Sequence, residues 1–271
     1  MSHIVDVVMP VYNAAPYLKF SIESILNQSF SDFWFIIIDD GSTDWSREIL
    51  QQYAKRDTRI QLLRNKNNSW ICVSLNKAID HSNATYILRM DADDISDKDR
   101  IRIQVEFMEK HMNVWVCGCN VQCINKEWSV SFIKKYPYTD EDIRKKIFFF
   151  NPINHPWAIM RRSALDKAWL YNDNFILAED LDLWFRLWQY SKFANIPQVL
   201  LQYRIFDTNS THRKSQKMVK QAIKTRMMAI RKYWYKPGVI WWLAITMAFV
   251  IQYLSANIVH LLFYKLRSVV Q

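Results

Sequence analysis

Phe33-Trp34-Phe35-Ile36-Ile37-Ile38-Asp39-Asp40-Gly41-Ser42 is the stretch that decides the fold. Six apolar residues run without interruption and then stop at two carboxylates, a glycine and a serine. Such a run fits a strand buried on both faces, as in a parallel sheet covered by helices. The pattern recurs on either side. Ile4-Val5-Asp6-Val7-Val8-Met9 reads as a strand stopping at Pro10, which cannot donate to a ladder. Tyr86-Ile87-Leu88 reads as another buried strand, followed by Asp91-Ala92-Asp93-Asp94. Helices are expected over 15–28, 43–56 and 71–81, with a strand near 60–63. Alternating strands and helices imply a parallel α/β sheet, and ligands bind such sheets beyond the carboxyl ends of the strands. The acidic clusters fall at those ends.

From about residue 114 the pattern changes. Longer strands are expected over 114–124, 128–134 and 156–160, then a helix over 179–190 and a final strand near 198–204. The expected fold is α/β, with a single mixed, mostly parallel sheet flanked by helices. One domain covers 1–211 and a helical appendage covers 212–271.

Composition narrows the ligands. The chain has 271 residues, 50% of them apolar, and three glycines: Gly41, Gly118 and Gly238. Glycines so far apart form neither G-x-G-x-x-G nor G-x-x-x-x-G-K-[ST], which excludes a Rossmann dinucleotide loop and a P-loop. A phosphorylated ligand must be held without a glycine-rich cradle. Cys72, Cys117, Cys119 and Cys123 lack C-x-x-C spacing and a matching histidine cluster, so they are expected as buried thiols and not as zinc ligands. The N-terminus opens on a strand pattern, so no secretory leader is expected and the chain is placed on the cytoplasmic side.

The net charge of +10 is unevenly spread. Residues 1–203 carry 24 basic against 25 acidic side chains, whereas 204–271 carry 12 against one, Asp207. Residues 212–235 read as a basic helix with an apolar stripe of Val219, Ile223, Ile230 and Trp234. Pro237-Gly238 interrupts it, and Val239 to Tyr264 then runs 26 residues without a charge. A solvated basic face followed by a buried helix pair or dimer contact would explain this tail. A basic amphipathic helix on anionic headgroups followed by a segment entering the bilayer explains it better. Association with the cytoplasmic face of the inner membrane is therefore expected, whether the run spans or lies in the interface. A nucleic-acid groove has no place for the uncharged run, so no nucleic-acid partner is expected. The oligomeric state is not legible.

Three constellations carry chemistry. In Asp91-x-Asp93, an extended backbone points both carboxylates to one side, where they suit a hard cation such as Mn²⁺ or Mg²⁺ that completes its shell with substrate phosphates. The bland reading of Asp91-x-Asp93 is an acidic turn leading into the next helix. Asp39-Asp40-Gly41-Ser42 is either a type I turn or a carboxylate reading a nucleotide's base or ribose. Glu179-Asp180 opens an aromatic-rich helix. Capping of the helix dipole explains acidic residues there. A general base explains them too, because adjacent carboxylates resist joint ionisation and one is left with a raised pKa.

Taken together, these blocks resemble family 2 glycosyltransferases of the A-type fold. The resemblance is carried by Val8-Met9-Pro10-Val11-Tyr12-Asn13, Ser24-Ile25-Leu26-Asn27-Gln28-Ser29-Phe30 and Ile37-Ile38-Asp39-Asp40-Gly41-Ser42-Thr43-Asp44. Arg89-Met90-Asp91-Ala92-Asp93-Asp94, His155-Pro156 with Met160-Arg161-Arg162-Ser163, and Glu179-Asp180-Leu181-Asp182-Leu183-Trp184 extend it. It covers about residues 3–211.

The resemblance implies that Pro10, Val11, Tyr12 and Asn13 line a nucleotide pocket. It implies that Asp40, with Asp39 beside it, contacts the uracil of a UDP-sugar. Asp91 and Ala92 would face the ribose or donor sugar, and Asp93, with Asp91, would hold the metal. Asp180 would deprotonate the acceptor hydroxyl in an inverting displacement. Glu179, Trp184, His155 and Arg204 are candidates for acceptor or phosphate contacts.

The implied activity is metal-dependent transfer from a UDP-sugar to a glycan or lipid-linked acceptor, such as O-antigen, lipopolysaccharide core or capsule in bacterial surface polysaccharide. The chain departs from the family at Asn67-Asn68-Ser69-Trp70, where the family often has glycine, and at Tyr203-Arg204-Ile205-Phe206, which often ends in histidine. The competing reading is a non-catalytic, membrane-docked sugar-nucleotide-binding or scaffold protein on a transferase fold, against which the retained Asp91, Asp93 and Asp180 argue. A sugar nucleotidyltransferase would need a glycine-rich N-terminal loop, which is absent.

Overall fold

The computed structural model describes residues 3–175, 177–205, 209–239, 241–242 and 246. The first half alternates as expected. It runs β1 (Val5–Val11), α1 (Ala15–Leu26), β2 (Phe33–Asp39), α2 (Ser46–Arg56), β3 (Ile60–Arg64), α3 (Trp70–His81) and β4 (Tyr86–Arg89). The second half comprises β5 (Ile95–Ser96), α4 (Arg100–Lys110), β6 (Val114–Ile124), β7 (Val130–Lys134), α5 (Asp140–Lys146) and β8 (Ile159–Arg161). It closes with α6 (Arg162–Lys167), α7 (Glu179–Leu187), β9 (Lys192–Arg204) and α8 (Asn209–Tyr233).

Among the described residues one sheet orders its strands β3-β2-β1-β4-β8-β6-β9-β5, with β7 pairing to β6. The β3-β2-β1-β4 half is parallel. Beyond β4 the sheet is mixed, since β8 is antiparallel to β4 and to β6 while β6 and β9 run parallel. The expectation of a mostly parallel sheet therefore holds for the first half only.

Strand alternation distributes the core over both faces. Val7, Met9, Phe35 and Ile37 pack with Leu18 and Ile22 of α1, Leu50 of α2, and Ile101 and Met108 of α4. Val8, Ile36, Ile38 and Ile87 pack on the other face with Leu75 and Ile79 of α3, Leu165 of α6, and Leu183 and Leu187 of α7. Each such fully buried side chain contributes about 1.5–3 kcal/mol, which holds the strand ends in a fixed frame. All four cysteines are buried, and none is in a disulfide among the described residues.

Several expectations are corrected. β1 runs through Pro10 to Val11, pairing Pro10 with Ile38 of β2. Val8 accepts from Met90 N on the β4 side, so two residues on Pro10 turns the same edge toward β4 after β4 has ended. The missing N–H costs no ladder bond there. Pro156 lies in a single 3₁₀ turn over His155–Trp157, so the strand begins only at Ile159. β9 starts at Lys192, six residues before the expected 198. Helix α4 has no apolar-only stripe, because its inward face includes Arg100 and Gln104, both fully buried.

The basic helix forms as α8, yet it is packed onto the domain instead of standing apart. Ala229 is fully buried among the residues of α7, with Ala222 and Tyr233 partly buried beside it. Arg226 is buried and its Nε donates to Ile147 O at 3.1 Å. Val219, Ile223 and Ile230 are only half-buried and Trp234 is 84% exposed, so small residues, not the apolar stripe, set the inward face. The run 239–264 lies outside the described residues apart from 239, 241, 242 and 246. Among the described residues no helix is long and apolar enough to cross a membrane.

Candidate active site

The carboxyl ends of β1, β2, β3 and β4 form one rim. At β2, Asp39 Oδ1 accepts from Ser42 N at 2.9 Å, and Gly41 turns the chain with φ +74°. A Cβ on Gly41 would meet the Asn67 backbone carbon at 2.7 Å, so only glycine lets the loop after β3 close over this turn. Asp40 is buried, and its Oδ1 accepts from Asn65 Nδ2 at 2.7 Å and Ser69 N at 2.9 Å. The loop after β1 is tied to the same turn, because Thr43 N donates to Asn13 Oδ1 at 2.8 Å and Asn13 N to Ser42 Oγ at 3.2 Å. Tyr12, between the anchored Val11 and Asn13, is 47% exposed. Pro10, Val11, Tyr12, Asn13, Asp39 and Asp40 are thus brought together at one corner.

β4 ends at Arg89, and the next turn carries Asp91, Asp93 and Asp94. Carboxylate oxygens of these three lie within 4.8 Å of one another. Several elements hold this turn. Ser21 Oγ of α1 donates to Asp91 O at 2.9 Å, and Arg100 Nη2 of α4 donates to Arg89 O at 2.8 Å. Arg204 of β9 donates from its backbone N to Asp94 Oδ1 and from Nε to Asp93 O, both at 3.0 Å. Burial, and then the Asp91 charge, pushes Asp93 up to about 7. Burial raises Asp94 as well, with Asp91 and Asp93 adding to it. Asp94 Oδ2 is buried with no hydrogen-bond partner among the described residues. Three hard oxygen donors at this spacing, crowded enough to bind protons, fit a divalent cation.

The second acidic pair opens α7. Asp180 accepts from Leu181 N through Oδ1 at 2.7 Å and from Asn151 Nδ2 through Oδ2 at 2.6 Å. Burial raises its pKa. Glu179 is pushed up to about 7, first by burial and then by Asp180. Its Oε2 is buried without a hydrogen-bond partner among the described residues, and its Oε1 is 3.9 Å from His155 Nδ1. Burial, and then Arg89, holds His155 well below the ordinary imidazole range, so the ring is neutral. His155 Nε2 shares a 2.6 Å hydrogen bond with Tyr171 OH.

Arg89 pairs with the first acidic group and acts electrostatically on both. It is 2% exposed, and its Nη2 is 2.6 Å from Asp91 Oδ1. Its charge acts on Asp93, Asp94, Glu179 and Asp180, lowering each. One buried guanidinium therefore sits within electrostatic reach of both clusters, and its Nε and Nη1 have no hydrogen-bond partner among the described residues.

Two expected contacts fall elsewhere. Trp184 is fully buried in the core and its Nε1 donates to Ile153 O at 2.9 Å, so it faces no ligand. Arg204 is 2% exposed, with its guanidinium over Trp128 at 3.8 Å and Tyr17 at 4.6 Å. It fastens β9 to the Asp93–Asp94 turn. Arg89 and Asp94 were given no role from the sequence although their block was recognised, and Asn151 and Tyr171 were not singled out. A charge ending an otherwise apolar strand was a usable signal for Arg89. Asn151 and Tyr171 sit in irregular segments with no local signature.

The arrangement is an α/β domain with one acidic cluster after β4 and a second acidic pair opening α7. The sequence model described as glycosyl transferase family 2 matches residues 6–169. The chain belongs to that family and is a glycosyltransferase. An uncharacterized glycosyltransferase of Haemophilus influenzae is 30% identical over 245 residues, covering 87% of this chain and 76% of that protein. The O-antigen biosynthesis glycosyltransferase WbnJ of Escherichia coli is 30% identical over 211 residues, covering 76% and 81%. Staphylococcus aureus TarS 1–349 in complex with UDP-GlcNAc shares the fold at a TM-score of 0.66 and 17% identity, over 83% of this chain and 66% of that one. The mannosyltransferase PcManGT of Pyrobaculum calidifontis, in complex with GDP-Man and Mn²⁺, does so at 0.66 and 16%, over 94% and 71%.

Proposed function

We propose that this glycosyltransferase moves a sugar from a UDP-sugar to an acceptor hydroxyl with inversion, using a divalent cation, in the assembly of bacterial surface polysaccharide. The observation that carries the reading is the pair of acidic clusters within electrostatic reach of Arg89, one suited to a cation and one to a proton. Tyr12 and Asp40 bind the nucleoside, and Asp39 supports them through the Ser42 turn. Asp91, Asp93 and Asp94 would hold Mn²⁺ or Mg²⁺. Such a cation supplies charge stabilisation to the departing diphosphate, which no glycine loop provides here.

Asp180 takes the proton of the attacking hydroxyl, with Asn151 fixing its orientation. Burial raises Asp180, and Glu179, near 7, keeps the pair from ionising together below neutral pH. A single displacement needs one base and no nucleophilic side chain. Neutral His155, fixed by its hydrogen bond to Tyr171, lies 3.9 Å from Glu179.

The TarS complex with UDP-GlcNAc supports the donor class. WbnJ and the Bacillus subtilis teichuronic acid relative, 42% identical over 105 residues, support a surface-polysaccharide acceptor. The basic excess of 204–271 and the uncharged run 239–264 support a lipid-linked acceptor at an anionic membrane surface on the cytoplasmic side. UDP release from a panel of UDP-sugars, with Mn²⁺ and solubilised lipid acceptors, tests the reading. Release should fall about 10²–10⁴-fold in Asp180→Asn. No release from any donor by the unaltered protein would refute it.

A further inference from the structure

Trp70 opens α3 in a conformation that its side chain disfavours. Its φ is +69°, in the left-handed region where glycine is at ease and a bulky residue is strained. The indole is nevertheless 58% exposed, so burial in the core does not account for a tryptophan there. Strain of this kind persists where surrounding structure enforces it, and it gathers at ligand clamps. The enforcing contacts are in place. Ser69 N donates to Asp40 Oδ1 at 2.9 Å, Trp70 N donates to Asn68 Oδ1 at 3.1 Å, and the Asn67–Asn68 backbone closes on Gly41.

The strand order fixes what lies opposite. β1, β2 and β3 are successive neighbours, and their carboxyl ends lead to Tyr12, Asp40 and the loop ending at Trp70. Asp40 therefore stands between two exposed aromatic residues along the rim. Two strand spacings amount to about 9.6 Å. A planar ring in contact on both faces needs about 7–8 Å between the flanking rings. Strand ends set that far apart leave room for one nucleobase beside Asp40, to which Ser69 N ties the loop carrying Trp70.

We propose that Trp70 is the second jaw of an aromatic clamp, closing on the donor's nucleobase from the side opposite Tyr12. This rests on the nucleotide-sugar reading above. The clamp takes the base and ribose, not the diphosphate, so its contribution is independent of the cation.

The test is calorimetric titration of the full chain, Trp70→Gly and Trp70→Phe with UDP plus Mn²⁺ and with uridine alone, alongside thermal melts. Trp70→Gly should bind UDP about tenfold more weakly, as loss of one stacked base predicts. The same factor should appear with uridine, and the melting midpoint should not fall, because glycine accepts the backbone. Trp70→Phe should stay within about threefold of the parent, since a smaller ring still stacks. Unchanged UDP affinity in Trp70→Gly, or a loss in Trp70→Phe as large as in Trp70→Gly, overturns the clamp and leaves the donor reading standing. A parent protein that binds no nucleoside diphosphate removes both.

Discussion

Replacing Arg89 with methionine strips the one buried cation that both acidic clusters share. The substitution keeps the length of the side chain and removes its charge. Asp91 loses a 2.6 Å partner, and Asp93, Asp94, Glu179 and Asp180 lose an attraction that favours their ionised forms. Breaking a buried pair from one side costs about 3–5 kcal/mol. Part of this is offset, because the buried Nε and Nη1 groups without partners vanish with the guanidinium, relieving about 1–3 kcal/mol each. The net effect on stability at neutral pH is therefore modest.

The proton affinities should move more. An opposite charge close to a carboxylate lowers its pKa by about 1–3 units, and its removal raises it by as much. Glu179, about 7 in the parent, should move to about 8 or beyond. Asp180, the proposed base, loses the same attraction and should also titrate at higher pH, and a base works deprotonated, so the rising limb of the turnover profile shifts upward. The assay is UDP release between pH 5 and 9.5. Arg89→Met should lose about tenfold at pH 6.5, recover part of it near pH 9, and regain most of the parent profile in Arg89→Lys. An Arg89→Met profile with the parent's rising limb refutes the shared electrostatic role.

Three further outcomes follow from the same geometry. Asp93 and Glu179 have folded-state pKa values near 7 against ordinary values of 3.8 and 4.5. Folding therefore takes up protons, and the stability they contribute is present below about pH 4 and lost as pH rises through 7. Urea midpoints in chelator should fall across that window, and Mn²⁺ should flatten the fall. Asp93→Asn should raise the chelator-treated melting midpoint at pH 8 while abolishing the Mn²⁺-dependent increase. Gly41→Ala should lower the unfolding free energy measured in urea by about 1–3 kcal/mol, because its Cβ would lie 2.7 Å from the Asn67 backbone carbon at a positive φ.

The parallel half was legible because its signals are local. Apolar runs, helical spacing and the turn at Asp39–Ser42 each lie within a few residues, and strand ends in such sheets converge on one rim. Helix α4 was not legible. Arg100 is buried because it finds Gln104, Arg89 O and Pro156 O, partners from three parts of the chain. No window of sequence contains those acceptors, so a buried arginine there looks like a solvated one. Trp184 illustrates the converse, since proximity in sequence to Asp180 suggested a ligand contact, whereas the helix turns its indole into the core.

The sequence by itself determined the family, the acidic rim and the segregation of positive charge into the last quarter of the chain. These are properties of composition and short-range order. Tertiary structure decided which carboxylates crowd within 4.8 Å, that Asn151 orients Asp180, and that α8 packs on the domain through Ala229 and Arg226. It also decided that Arg89 faces both clusters. Charge interaction depends on distance and on burial, and both arise only when strands remote in sequence are laid side by side.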